Sequence, residues 1–277
     1  MLRKPQKRSV LGSRSPMSND VVCFAPPSNF IAPQNEIHIW RFHLDCGPEQ
    51  IRLLEGTLTD EEKSRANRFI HSRDRQRFVV SRGVLRELLG KYQGVHPSAL
   101  AIETGPYGKP FLAVPGPLPS LSFNLSHSDG CAVCAVARDR NLGIDLEQLR
   151  PDFPAEEISH RYFSATESRN LSSLPPEQRA EGFFLGWTRK EAYLKARGTG
   201  LQTPLDSFSV SLAPAEPPKF LDGVEPTWHL AAFRPSERFV AALVYDSPPC
   251  ELRYFSRGNQ TIKTVSKRAI TGRIEAI

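Results

Sequence analysis

Three carboxylates and a lysine hold the most chemistry in this chain. In GIDLE, Gly143 to Glu147, Asp145 and Glu147 stand two residues apart, so on a strand both project to one face while Ile144 and Leu146 project to the other. Neighbouring carboxylates repel unless a cation lies between them. Hard oxygen ligands of this kind suit Mg2+, which takes one or two protein carboxylates and completes its octahedron with water and phosphate oxygens. The bland alternative is a solvated strand face. In WTRKEAYLK, Trp187, Glu191 and Lys195 fall at i, i+4 and i+8 and form one helical stripe. A third carboxylate beside an ammonium suits a metal next to a phosphate; the alternative is a surface pair worth a few tenths of a kcal/mol to the helix.

Donors for an anion stand nearby in the chain. FNLSHS brings Asn124, Ser126 and His127 to the end of an apolar segment, and the imidazole is a neutral donor or a cation near pH 7. A turn of small, satisfied polar residues is an equal alternative. In GPYGKP, Lys109 follows Gly108 in a turn that lets the backbone approach a ligand. Cys131 and Cys134 form a lone CxxC within GCAVCAVA, but residues three apart on a strand face opposite ways, so they read as buried thiols rather than a redox or zinc pair. Five scattered cysteines, an odd number, fit reduced thiols better than a disulfide framework.

The elements that position these residues are legible in outline. EIHIWRFH alternates as a first strand, and Thr59 with Glu62 forms a capping box that opens a helix. After a break at HSRD, Phe78, Leu85, Leu88, Leu89 and Tyr92 mark a second helix that stops near Gly90 or Gly94. Arg73, Arg75, Arg77, Arg82 and Arg86 on it read mainly as a solvated face. CAVCAVA and NLGIDLE are two strands joined by the turn RDRN, a helical region runs from about Ala155 through SATESRNLSSL, and EGFFLGWTRKEAYLKARG is the strongest helix. DSFSVSL, TWHLAAFRP and RFVAALVYD follow as strands of an antiparallel meander. Helices and short strands are mixed, which makes the class α+β rather than a doubly wound parallel sheet.

Composition narrows the function. The 277 residues suffice for one large domain or two small ones, and no apolar run approaches the roughly 20 residues of a membrane-spanning helix. The net charge of +6 sits at the ends: residues 1–18 hold five bases and no acid, and residues 251–277 hold six bases and two acids. The body between them is mildly acidic and lacks the field that gathers nucleic acid. Residues 1–35 read as a disordered basic extension, 36–140 and 141–250 as two subdomains, and 251–277 as a basic tail.

The order YGKP, FNLSHS, GIDLE, YFSATE and WTRKEAYLKARGTGL resembles that of the Sfp-type 4′-phosphopantetheinyl transferases, over about residues 60–210 and less distinctly to Tyr245. The resemblance implies transfer of the phosphopantetheine arm from coenzyme A to a serine of an apo acyl or peptidyl carrier protein, with release of 3′,5′-ADP. It implies that Asp145, Glu147 and Glu191 hold Mg2+, that Glu147 tolerates an amide, and that Lys195 faces the phosphates. By the same likeness Arg65, Thr104, Gly108, Lys109, Asn124, Ser126 and His127, together with Asp145 and Lys195, bind coenzyme A. The implied fold is a pseudodimer of two similar α+β subdomains in one chain with the coenzyme cleft between them, active as a cytoplasmic monomer without a membrane or nucleic-acid partner. Glu167 matches a further family acid whose role stays open.

Chemistry agrees with this. Breaking a pyrophosphate linkage requires neutralising charge on the bridging and leaving oxygens, for which a metal, Lys195 and His127 are suited, while Glu191 either takes the serine proton or holds a metal-bound water that does. Two rivals are a metal-dependent nuclease and a non-catalytic carrier- or coenzyme-binding module. The acidic body weighs against the first and the three carboxylates against the second.

Overall fold

A computed structural model describes residues 30–113 and 120–257, Pro33 excepted. The first half runs β1 (Glu36–His43), α1 (Pro48–Glu55), α2 (Asp60–Ala66), α3 (Ser72–Gln93), the short hairpin β2 (Ile102–Thr104) and β3 (Pro110–Leu112), then β4 (Leu121–Ser128) and β5 (Cys131–Arg138). The second half runs β6 (Leu142–Gln148), α4 (Ala155–Tyr162), α5 (Ala165–Ser173), α6 (Pro176–Arg197), β7 (Ser209–Val210), β8 (Phe220–Asp222), β9 (Trp228–Ser236) and β10 (Phe239–Asp246); β11 (Glu251–Arg257) closes the described chain. Thr59 caps α2 as expected: its hydroxyl accepts from the Glu62 amide and the Glu62 carboxylate accepts from the Thr59 amide. The 22-residue helices α3 and α6 both stop on a glycine in the left-handed region, Gly94 at φ 64° and Gly198 at φ 68°. α1 is absent from the sequence reading, and only two residues of DSFSVSL are strand.

The halves repeat one plan. Their sheets run β11-β1-β5-β4 and β6-β10-β9, so in each half the first strand pairs with the last, and the fourth strand of the first sheet is β11, supplied from beyond the second half. The sheets pack face to face: Ile37, Ile39, Val133 and Ala135 meet Ile144, Leu146, Leu243 and Tyr245 in one core. On the outer face of the first sheet, Val80, Val84, Leu88 and Tyr92 of α3 cover Trp40, Phe42, Cys134 and Val136. On the outer face of the second, Ala192, Tyr193 and Ala196 of α6 cover Ala242 and Val244. This layering explains why β5 and β10 are buried along almost their whole length and show no alternation. It also separates the CxxC cysteines, with Cys131 in the central core and Cys134 under α3.

Two boundary expectations are corrected. Residues 251–257 form a strand rather than a tail, parallel to β1 from Glu36 opposite Glu251 to Phe42 opposite Arg257, with Phe255 stacked on Trp40 at 4.7 Å between ring centres. Phe30 and Ala32 belong to the core rather than to a loose extension: Phe30 stacks on Trp40 at 5.5 Å and Ala32 is buried. The rest of the expected extension and tail, residues 1–29 and 258–277, and most of the loop VPGPLPS lie outside the described residues.

Candidate active site

Along one side of the packed sheets their edge strands β4 and β6 meet, and this seam builds the site. Both strands keep the period of two, so Asn124, Ser126 and Ser128 of β4 all turn toward β6. The Ile144 amide donates to Asn124 Oδ1 at 2.8 Å, the Leu146 amide to Ser126 Oγ at 3.2 Å and the Gln148 amide to Ser128 Oγ at 3.1 Å. Side chains thus replace the backbone ladder, and edge amides that would otherwise lie unpaired are satisfied. The serines also donate, Ser126 Oγ to Asp145 Oδ1 at 2.9 Å and Ser128 Oγ to Glu147 Oε2 at 3.0 Å.

From the other side α6 closes on β6 at Gly143. A Cβ there would stand 2.2 Å from the Ala192 carbonyl oxygen and from the Ala196 amide nitrogen, so only glycine admits this approach. It brings the helical stripe over the strand carboxylates. Lys195 Nζ lies 2.5 Å from Asp145 Oδ1 and 3.2 Å from Ser126 Oγ. Ser126, His127, Asp145, Glu147, Trp187, Glu191 and Lys195 line one open cleft of about 400 Å³. Desolvation in this cleft, and then the charge of Asp145, raise the pKa of both Glu191 and Glu147; Lys195 opposes the shift at each, as do Ser128 and Arg150 at Glu147. His127 keeps contact with solvent, and its pKa falls through loss of surrounding water and through the nearby Lys195 and Arg77 cations.

The other expected residues divide. Lys109 Nζ donates to the Leu142 and Ala196 carbonyls at 2.9 and 3.2 Å, pinning its turn to the start of β6 and the end of α6; Gly108 takes φ 83° in that turn. Arg65 and Thr104 line a separate, larger cavity of about 720 Å³ together with Phe69, Phe78 and Arg82, and it shares no lining residue with the cleft. Asn124 is buried in the seam, a geometry that fits holding β6 rather than reaching a ligand. Of the α3 arginines, Arg82 and Arg86 clasp the buried Glu62, Arg75 pairs with Glu55, and Arg77 makes a two-pronged bond to Asp45 at 2.8 Å. The face read as mainly solvated therefore pins its helix to the preceding elements. Glu167 gains a structural role: fully buried, it pairs with Lys190 at 2.8 Å and accepts from the Ser164 and Val210 amides, locking α5 and α6 to β7. Sequence reading missed Ser128, although its place two residues beyond Ser126 was the available signal.

Does the donor set fit a divalent cation? Among the described residues, no three His, Cys, Asp or Glu side chains form a ready-made coordination cage. Asp145 Oδ2 is nevertheless buried without a hydrogen-bond partner, a costly state for a carboxylate oxygen that a cation would relieve. Mg2+ needs only one or two protein oxygens, since water and phosphate supply the rest. The residues fit such an ion bound together with a phosphate ligand.

The model of the 4′-phosphopantetheinyl transferase superfamily matches residues 141–244, and that of the N-terminal 4′-phosphopantetheinyl transferase domain matches residues 45–139. The 4′-phosphopantetheinyl transferase HetI of Nostoc sp. is 42% identical over 217 residues, spanning 78% of this chain and 90% of its own. A 4′-phosphopantetheinyl transferase of Bacillus subtilis is 35% identical over 59% of this chain and 70% of its own, and the transferase Sfp of Bacillus subtilis strain 168 is 34% identical over 56% and 66%. The chain belongs to the 4′-phosphopantetheinyl transferase family, on its Sfp-type branch. It is an enzyme of that class, with two α+β halves joined as a pseudodimer.

Proposed function

We propose that the cleft at the β4–β6 seam moves the 4′-phosphopantetheine group from coenzyme A to a serine hydroxyl of an apo acyl or peptidyl carrier protein in a Mg2+-dependent reaction. The observation that carries this reading is the meeting in one cleft of Asp145, Glu147, Glu191 and Lys195, with the buried Asp145 Oδ2 left unpartnered. Asp145 and Glu191, with Glu147, would hold the ion. When bound, Mg2+ supplies Lewis-acid neutralisation of pyrophosphate charge.

The chain's own groups account for the rest. Glu191, the carboxylate that α6 brings into the cleft, receives the serine proton directly or through a water it holds. The serine oxygen forms a bond to the phosphorus that bears the pantetheine arm, and the bond from that phosphorus to the departing 3′,5′-ADP oxygen breaks. Lys195 has three N–H groups, so it can keep Asp145 and also donate to a phosphate oxygen where charge builds. His127 sits beside it to orient the phosphates, while Ser126 spends its one hydroxyl proton on Asp145 and so holds that carboxylate in place. Arg65 and Thr104, which line the separate cavity of the first half, are assigned to the nucleotide end of the coenzyme as part of this proposal, with Lys109 shaping the turn that follows Thr104.

The joining of both halves in one chain supports a monomer. Among the described residues no helix is long and apolar enough to cross a membrane; a cytoplasmic site of action is proposed from the unpaired thiols and the coenzyme. The test is mass spectrometry of an apo carrier protein incubated with the enzyme and coenzyme A. With Mg2+ the carrier should gain one phosphopantetheine as 3′,5′-ADP appears, and with chelator it should not. An unchanged carrier across a panel of acyl and peptidyl carriers would contradict the reading, and full transfer in chelator would remove the metal.

A further inference from the structure

The β4 serines treat the two strand carboxylates alike. Each gives its hydroxyl proton to one carboxylate oxygen, Ser126 to Asp145 Oδ1 and Ser128 to Glu147 Oε2. Each also accepts a β6 amide, from Leu146 and Gln148, which fixes the direction of the O–H. One oxygen per carboxylate is thereby occupied: Asp145 Oδ2 is left over, and Glu147 Oε1 has no side-chain partner among the described residues. The match follows from register, because serines two apart on one strand face acids two apart on the other.

We propose that Ser128 is a positioning residue that orients Glu147 toward the metal, the counterpart of Ser126 at Asp145. This rests on the metal reading of the cleft given above. A freely rotating glutamate in a partly exposed position gives up side-chain entropy when it binds an ion; Ser128 removes part of that cost beforehand by holding Oε2, leaving Oε1 for the ion or its water. Outer hydrogen bonds of this type are worth about 10–100-fold in metal affinity.

The test uses Mn2+ as the probe, titrated into the full-length enzyme with coenzyme A present and no carrier, so that no transfer occurs, with free Mn2+ read by electron paramagnetic resonance. Ser128→Thr and Ser128→Val form a near-isosteric pair, both suited to a strand and differing in the hydroxyl. Ser128→Thr should bind Mn2+ like the parent, whereas Ser128→Val should bind it about tenfold more weakly while its calorimetric affinity for coenzyme A without metal stays unchanged. In a Glu147→Ala background, Ser128→Val should lose its effect on Mn2+, the coupling expected if the serine acts through that carboxylate. Equal Mn2+ affinity of the Thr and Val variants, or an undiminished effect of Val when Glu147 is gone, would overturn the proposal. Asp145→Ala separates the two readings: if it leaves Mn2+ binding intact, the metal site itself is wrong, and if it abolishes binding while Ser128→Val does not weaken it, only the positioning role fails.

Discussion

Lys109 shows how a residue chosen for its charge is used for its shape. Its ammonium bridges two carbonyls that belong to different elements, and burial pulls its pKa from 10.5 down to about 8. The sign follows from linkage. Below pH 8 both the folded and unfolded chains carry the proton, and the full penalty of burying the charge is present. From about pH 8 to 10.5 only the unfolded chain holds it, so the contribution of Lys109 to stability rises with pH across that window. The neutral amine keeps two N–H groups, one for each carbonyl. Denaturant unfolding of the parent and of Lys109→Met should therefore show the parent gaining relative stability between about pH 7.5 and about pH 9.5. A relative loss over that range would show that the ammonium is held by attraction rather than tolerated.

At the scale of elements, the proposed site depends on how closely α6 and β4 approach β6. The sequence made the helix and the strand legible, since the stripe Trp187, Glu191, Lys195 and the alternation in GIDLE are local patterns. It did not reveal which glycine matters. Gly143 is the contact point between α6 and β6, and its importance comes from backbone atoms of residues about fifty positions away. Gly143→Ala should destabilise the fold by about 3 kcal/mol, the upper end of overpacking costs, and lower turnover further by lifting Glu191 and Lys195 from the strand carboxylates. Denaturant unfolding and steady-state assays on the same preparation check both; a stable, fully active variant would show that helix and strand are not held at that contact. The seam was equally hidden, because polar side chains such as Asn124 give no local sign of whether they face a ligand or a neighbouring strand edge.

Across the whole molecule, the layered order of helix, sheet, sheet and helix explains what the pattern of residues conceals. CAVCAVAR and FVAALVYD lie between packed layers on both faces, so their strand character is read from composition rather than alternation. β11 was illegible for a different reason. Its run ELRYFSR is basic and weakly patterned, and it becomes a strand only because β1 offers a parallel edge and Trp40 a ring for Phe255. A chain ending at Cys250 should lose at least what Phe255→Ala loses, about 3–5 kcal/mol for a buried phenylalanine, and expose β1 as an open sheet edge. Unfolding and light scattering of the shortened chain measure this, and parental stability would mean that β11 is dispensable. The same meeting of the edge strands β4 and β6 puts the groups proposed for catalysis at the junction of the halves, with residues of both lining the cleft.

The most direct test of that arrangement is turnover of an apo carrier protein by Asp145→Ala and Glu191→Gln, measured at saturating coenzyme A and Mg2+ on samples whose circular dichroism matches the parent. Glu191→Gln relieves carboxylate repulsion in the cleft, whereas Asp145→Ala also gives up the Lys195 ion pair and the Ser126 hydrogen bond, which is why the comparison is made on matched folded samples; both should lose at least about a hundredfold in kcat, on the scale of removing a group that stabilises transition-state charge. Near-parental turnover by either folded variant would contradict the assignment of the cleft as the catalytic centre.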